Sequence, residues 1–194
     1  MKLDALHPDL YQSDRTGELL PRLLIEQKLD VQLPDILCAA LEPFDGPIIF
    51  DVLVGVTSLS KIPNLDDEKL LEIELLYGLN DGEYGIIGMK ELFRSRVDKK
   101  YLPIADPGAG DQIFLNVQSG EVFFWHHECS EGESSPKAVT LISKTIEAFL
   151  SGLVEIPETD EESKSSGVIY KPGQAEAFRE LDEKMKRGEK LPWQ

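Results

Sequence analysis

The sequence of 194 residues is 41% hydrophobic, and its 36 acidic and 20 basic residues give a formal net charge of −16 at pH 7. It is long enough for one domain with an ordinary core, and it has no apolar run near the roughly 18 residues that a membrane span requires. Like charges repel over about 8 Å at physiological salt, so the acidity argues against nucleic acid and anionic membranes as direct partners and favours a basic protein, although acidity also serves solubility alone.

Two short helices are predicted after a polar lead over residues 1–18. Pro21 suits the first turn of the first helix because its ring fixes a helical φ and its missing N–H is not needed there. The apolar side of this helix is predicted to be Leu20, Leu23, Leu24 and Ile25. Leu33-Pro34 then opens a second amphipathic helix, which Pro43 ends.

A strand and a third helix are predicted next. The β-branched run over residues 48–56 is typical of a strand with a buried face. Residues 66–77 begin with acids, carry apolar side chains at helical spacing and precede a glycine, which predicts a helix. Beyond a turn at Asn80-Asp81-Gly82, we predict a short strand over residues 84–87 and a helical turn over residues 90–96.

A β-hairpin and a closing helix complete the predicted domain. One strand over residues 102–105 enters the loop DPGAGD at residues 106–111, and a second over 112–117 leaves it. A Ser-Gly turn then leads into a third strand over residues 121–126. Residues 138–150 are predicted as an amphipathic helix. Its inner side is predicted to be Val139, Ile142, Ile146, Phe149 and Leu150.

The composition changes after residue 154. Residues 155–173 are predicted as an acidic, serine-rich linker, because they begin with a stretch that has almost nothing to bury. Residues 174–194 are predicted as a helical tail with a thin apolar stripe, which docks either on its own domain or on a partner. The predicted organisation is therefore a domain over residues 1–154, the linker and the tail.

The segment from residue 101 to residue 128 closely resembles the signature hairpin of the SUKH superfamily, which includes the Smi/Knr-like fungal cell-wall regulators. The matching residues are Leu102, Pro103, Ile104 and Ala105; Asp106 and Gly108; Gly110 and Asp111; Ile113 and Leu115; Gly120; and Val122, Phe123, Phe124, Trp125, His127 and Glu128. Leu33-Pro34 also fits the family pattern, whereas Phe44-Asp45-Gly46 stands where an Asn-Gly turn is expected. The tail lies outside the resemblance.

This resemblance implies both a fold and a role. The implied fold is an α+β domain with a mainly antiparallel, curved sheet and helices packed largely on one side. Many bacterial members of the superfamily are immunity proteins that bind and neutralise polymorphic or contact-dependent toxins, often nucleases. The alternative role, similar to that of the fungal members, is an intracellular regulator or scaffold without a toxin partner.

The charge and the resemblance together predict that an acidic surface binds a cognate, basic protein toxin without catalysis or a cofactor. Carboxylates can occupy the basic cleft of a nuclease as phosphate mimics. We predict charge and hydrogen-bond complementarity at the loop acids, with Tyr84 as an anchor. The predicted partner-binding residues are Asp81, Glu83, Tyr84, Asp106, Asp111 and Glu128.

The same positions also allow other chemistry. Successive strand residues point to opposite faces, so His126 and His127 are not expected to share a metal ion unless the strand bulges. Asp106 and Asp111 form either the acid–base pair of a hydrolase or, the preferred interpretation, acceptors for the amides of their own turn. No catalytic, cofactor or metal residue is therefore assigned.

Three further expectations concern aromatic residues, location and cysteines. Trp125 with Phe123 forms either a binding platform or part of the core. The first residues carry acid and proline rather than the apolar core of a signal peptide, so a cytoplasmic protein is expected. In that compartment Cys38 and Cys129 are expected to be buried thiols rather than a disulfide. The sequence does not fix an oligomeric state.

Overall fold

A computed structural model of the protein describes residues 3–6, 8–10, 18–44, 46–63, 65 and 70–157. The predicted linker, apart from residues 155–157, and the predicted tail lie outside these residues. The predictions for those two regions therefore stay predictions.

Four helices lie among the described residues. They are α1 (Arg22–Leu29), α2 (Asp35–Leu41), α3 (Ile86–Phe93) and α4 (Ile146–Ser151), with short 3-10 turns at Leu3–Leu6 and Pro136–Ala138. The strands are β1 (Pro8–Leu10), β2 (Ile48–Phe50), β3 (Val54–Val56), β4 (Leu71–Glu72), β5 (Leu75–Leu76), β6 (Tyr101–Asp106), β7 (Gln112–Asn116), β8 (Val122–Trp125), β9 (Val139–Ser143) and β10 (Val154–Glu155). None of the helices in the described ranges is long and apolar enough to cross a membrane.

Seven of the strands form one antiparallel sheet in the order β1-β2-β5-β6-β7-β8-β9, and β10, β3 and β4 form a smaller antiparallel sheet. The centre of the large sheet is the predicted hairpin: β6 pairs with β7, and β7 with β8. The α+β class, the mainly antiparallel sheet and the hairpin are therefore confirmed.

Side chains of the central strands alternate between two apolar clusters. Ile113 and Leu115 belong to a large cluster to which α1, α2 and α4 contribute, whereas Phe114 between them belongs to a smaller cluster beside α3. Each buried side chain of this size contributes about 1.5–3 kcal/mol, so the large cluster dominates the stability. The small cluster consists of Leu75, Tyr77, Met89, Phe93, Phe114, Trp125 and Ala138.

The helix predicted over residues 66–77 is wrong in its described part. Leu71–Glu72 and Leu75–Leu76 are strands that pair with β3 and with β2 and β6. Leu71, Ile73 and Leu75 are buried, whereas the two glutamates between them are exposed. This is the two-residue alternation of a strand, and cross-strand pairing favours it over a helical face.

Two further predictions of element type are wrong. Residues 84–87, predicted as a strand, instead lead into α3, which begins at Ile86 after the N-cap Gly85. The helix predicted over residues 138–150 contains strand β9 before α4. Thr145 separates them because its side-chain oxygen accepts a hydrogen bond from the Ala148 N–H at 3.0 Å and caps α4. Of its predicted inner residues, Val139 is half-buried, and the buried ones are Ile142, Ile146, Phe149 and Leu150.

Residues 18–56 are predicted better in their elements than in their details. Both helices are confirmed, but Leu23 is 67% exposed, and Ile25 is the buried residue of α1. The run over residues 48–56 divides into β2 in the large sheet and β3 in the small one. Cys38 and Cys129 are free thiols; the first is buried and the second half-buried.

Candidate functional site

The loop between β6 and β7 has a backbone that its glycines permit. Gly108, Ala109 and Gly110 all have positive φ, at 89°, 54° and 85°. Asp106, at the start of the loop, accepts a hydrogen bond from the N–H of Gly108 at 2.8 Å. The prediction that the loop acids bind their own turn is confirmed for Asp106.

Asp111, at the end of the same loop, binds a different part of the chain. Its Oδ1 accepts the His127 backbone N–H at 3.0 Å and lies 2.8 Å from the Nδ1 of His127 and 3.3 Å from the Nδ1 of His126. The expectation that the two imidazoles face opposite ways is wrong. Strand β8 ends at Trp125, so strand alternation no longer governs the two histidines.

Further carboxylates surround this loop. Glu74 lies against it, because a Cβ added to Gly108 would come 2.3 Å from the Glu74 Oε1. Glu128 is exposed, with its Oε1 3.7 Å from the His127 Nε2. We call the group of Glu74, Asp106, Asp111, His126, His127 and Glu128 the loop-end cluster.

The loop-end cluster concentrates negative charge. Burial and the charge of Asp111 raise the pKa of Asp106, and burial and the charge of Asp106 raise the pKa of Glu74. Across the described residues, no lysine or arginine forms an ion pair with any of the four carboxylates. The exposed members of the cluster, Glu74 and Glu128, can therefore accept hydrogen bonds and cations from outside the domain.

The other predicted residues lie in the turn between β5 and α3. Asp81 forms an ion pair with Lys28 at 3.2 Å, which already compensates its charge, and Glu83 is exposed. Tyr84 packs partly against the small cluster, which contains Tyr77. The structure brings Asp106, Asp111 and Glu128 into one cluster and leaves Asp81 in a separate ion pair.

Tyr77 is the buried connection between these two regions. Its hydroxyl donates a hydrogen bond to the Gln112 Oε1 at 2.5 Å, beside Asp111 in sequence. Burial raises the pKa of Tyr77, and the charge of Asp106 raises it further. Tyr77 is thus linked to the loop-end cluster, and it also belongs to the small apolar cluster against which Tyr84 packs.

Sequence reasoning did not find a cavity of about 580 Å³ beside the C-terminal end of α3. We call it the α3 pocket. It is lined by Ser95, Arg96, Val97, Asp98, Tyr101, Phe114, Phe123, Trp125, Glu133, Ser134, Ser135, Pro136 and Val139. The alternating aromatics Phe123 and Trp125 were the available signal, but the walls from residues 95–98 and 133–136 come from distant parts of the chain.

One ion pair fixes the wall of the α3 pocket. The Nε and Nη2 of Arg96 bind the two carboxylate oxygens of Glu133 at 2.8 and 2.6 Å, and the guanidinium lies 4.8 Å from the Trp125 ring centre. The Trp125 Nε1 donates to the Glu133 carbonyl oxygen at 2.9 Å. Hydrogen bonds from Arg96 hold the pKa of Glu133 below its ordinary value. Trp125 is thus core, whereas Phe123 is half-buried at the pocket.

The positions of these side chains also bear on metal binding. Within the part of the chain that the structure describes, no group of three or more His, Cys, Asp or Glu side chains is placed to hold a metal ion. In the loop-end cluster, both imidazoles direct their Nδ1 atoms at Asp111. The arrangement is an internal hydrogen-bond network around one carboxylate.

Comparison with known proteins gives the family. The chain is 29% identical over 174 residues to the SPbeta prophage-derived uncharacterized protein YokK of Bacillus subtilis (strain 168), with 82% of this chain and 85% of that protein covered. No solved structure matches the chain. A model of the SMI1 / KNR4 family (SUKH-1) matches residues 23–152, a range that contains both the loop-end cluster and the α3 pocket. The chain belongs to the SMI1 / KNR4 family (SUKH-1), as the residues of its central hairpin predict.

Proposed function

We propose that the protein is an immunity protein, which uses the loop-end cluster to bind a basic surface of a cognate protein toxin and blocks that toxin in the cytoplasm. The SMI1 / KNR4 family includes immunity proteins, and members of this kind bind rather than catalyse. Family membership supports the class of function, and the charge distribution supports the choice of binding surface.

The observation that carries the proposal is the set of four carboxylates without a lysine or arginine partner among the described residues. Two of them, Glu74 and Asp106, have raised pKa values, so their ionised forms are disfavoured in the free protein. Cations of a toxin would favour those ionised forms. Binding a cation would then relieve the repulsion inside the cluster.

The cluster is also held in place before binding. Asp111 is fixed by the backbone N–H and the imidazole of His127, and Asp106 by the N–H of Gly108. Both lie at ends of paired strands in the large sheet. A surface ordered in advance loses less conformational entropy on binding, which supports tight inhibition without catalysis.

The test measures binding to toxin domains encoded beside the gene, over a series of salt concentrations. Reversing two charges with Glu74→Lys and Glu128→Lys should weaken binding by about tenfold or more, and wild-type affinity should fall as salt rises. Glu42→Lys is the control for a charge reversal elsewhere on the surface, because Glu42 is exposed after α2 and is not a member of the loop-end cluster.

Salt-independent affinity, or equal losses from the cluster variant and the control, would contradict the proposed surface. Turnover of a substrate by the purified protein would contradict inhibition without catalysis.

A further inference from the structure

The α3 pocket has the size and lining of a binding site. Its volume of about 580 Å³ lies within the range of about 300–1,000 Å³ that ligand pockets occupy. Tyr101 and Phe123 are both half-buried there, with their rings edge to face at 5.7 Å. Each retains aromatic surface that a further ring can cover.

The charged groups that line the α3 pocket are already satisfied. Arg96 and Glu133 bind each other through two hydrogen bonds, and Asp98 accepts the N–H of Lys100 at 3.0 Å. Among the described residues, the buried side-chain nitrogen or oxygen without a partner is the Nδ2 of Asn80, which does not line the pocket. With these charged groups occupied, the accessible aromatic surface is the feature of the lining that favours an apolar anchor.

The segment that leads from α3 past the pocket to β6 differs in charge from the rest of the protein. Residues 90–100 contain five basic and two acidic residues, within a chain of net charge −16. Lys99 is exposed, the Lys100 Nζ lies 5.2 Å from the Tyr101 ring centre, and neither lysine forms an ion pair with another described residue. These two cations favour an acidic neighbour.

We propose that the α3 pocket is a second protein-binding site, which receives one large aromatic side chain from an acidic segment of a partner protein. The aromatic side chain covers Tyr101 and Phe123, and carboxylates beside it contact Lys99 and Lys100. This preference is opposite in charge to that of the loop-end cluster. The two sites can therefore be occupied by different partners or by two regions of one partner.

The test uses the isotopically labelled full-length protein and three blocked tripeptides, with backbone amide shifts as the readout. The peptides are Glu-Trp-Glu, Lys-Trp-Lys and Glu-Ala-Glu. The first should bind with a dissociation constant of about 1–10 mM and shift signals around the α3 pocket. It should bind about threefold or more tightly than the second, and the alanine peptide should leave the spectrum unchanged.

Two variants and a control test which residues contribute to peptide binding. Lys99→Glu with Lys100→Glu should abolish the preference for the acidic peptide, whereas Lys144→Glu, an exposed lysine after β9, should keep it. Phe123→Leu should weaken binding of both tryptophan peptides by about fivefold while thermal unfolding shows that the fold is retained.

Several results would overturn the inference. They are shifts that the alanine peptide reproduces, no shifts near the pocket at about 10 mM peptide, and tighter binding of the lysine peptide. Tighter binding of 5′-AMP than of the acidic peptide would make the pocket a small-molecule site, and self-association through it would make a second copy the occupant. No toxin enters the test, so it is independent of the proposed immunity function.

Discussion

Strand β6 joins two regions that handle charge in different ways. At its first residue, Tyr101, it borders the α3 pocket, where Arg96 and Glu133 neutralise each other over a buried tryptophan. At its last residue, Asp106, it borders the loop-end cluster, where carboxylates face one another and no described lysine or arginine pairs with them. Charges that support packing are paired with each other, whereas charges that raise each other's energy have no lysine or arginine partner among the described residues.

The largest effect on the free energy of unfolding is expected for Trp125, because this residue is the buried wall of the α3 pocket. Trp125→Ala removes a side chain that is 1% exposed and contacts Phe93 and Phe114 edge to face. It should lower the free energy of unfolding by about 3–5 kcal/mol, as measured by urea denaturation. Trp125→Phe keeps an aromatic ring and loses the hydrogen bond to Glu133, so its loss should be smaller. A loss below about 1 kcal/mol for the alanine variant would show that Trp125 is not an important part of the core.

A smaller effect is expected at Asp111, the structural member of the loop-end cluster. Asp111→Ala leaves the His127 N–H without its acceptor and should lower the free energy of unfolding by about 1–3 kcal/mol. Asp111→Asn retains one acceptor oxygen and should recover part of that loss in the same denaturation experiment. Equal losses in the two variants would show that the negative charge, not the hydrogen bond, orders the loop.

The smallest effect on stability is expected at Asp106, where it should have the opposite sign. The pKa of Asp106 is raised from 3.8, so the native state holds this proton more tightly than the unfolded state does. Its ionisation therefore lowers stability as the pH rises from about 3.8 through the raised pKa. Asp106→Asn should flatten stability over this window and change it at neutral pH by about 0.5 kcal/mol or less, in the stabilising direction.

Unfolding curves at several pH values test this prediction. A variant that is less stable than the wild type at neutral pH would mean that the hydrogen bond to Gly108 needs the negative charge. The contrast between the α3 pocket and the loop-end cluster would then not hold at Asp106.

The sequence predictions are accurate where local interactions determine the structure, and they fail where contacts between distant parts of the chain determine it. The central hairpin was predictable because its turns depend on nearby glycines and acids, and its strands alternate within a few residues. The helix predicted over residues 66–77 failed although Leu71, Ile73 and Leu75 alternate with two glutamates. With Leu70 and Leu76 included, the segment also contains the i, i+3 and i, i+4 spacings of a helix, and pairing with distant strands decides between the two.

The candidate site was predictable in composition and not in geometry. Asp106, Asp111 and Glu128 were recognised as loop acids near the hairpin. Their meeting with His126 and His127 depends on where β8 ends, which single-sequence patterns place only to within a few residues. The α3 pocket needed the docking of α3 and of residues 133–136, which no local pattern encodes.

The left-handed backbone at the tip of the hairpin loop restricts how this surface can evolve. Ala109 is exposed there with a φ of 54°, a conformation that glycine, asparagine and aspartate adopt more readily than other residues. Mutation at this position is thus filtered toward short side chains, of which one is acidic and another polar. The backbone shape of the tip thereby favours side chains that can accept hydrogen bonds, in a loop that already carries Asp106 and Asp111.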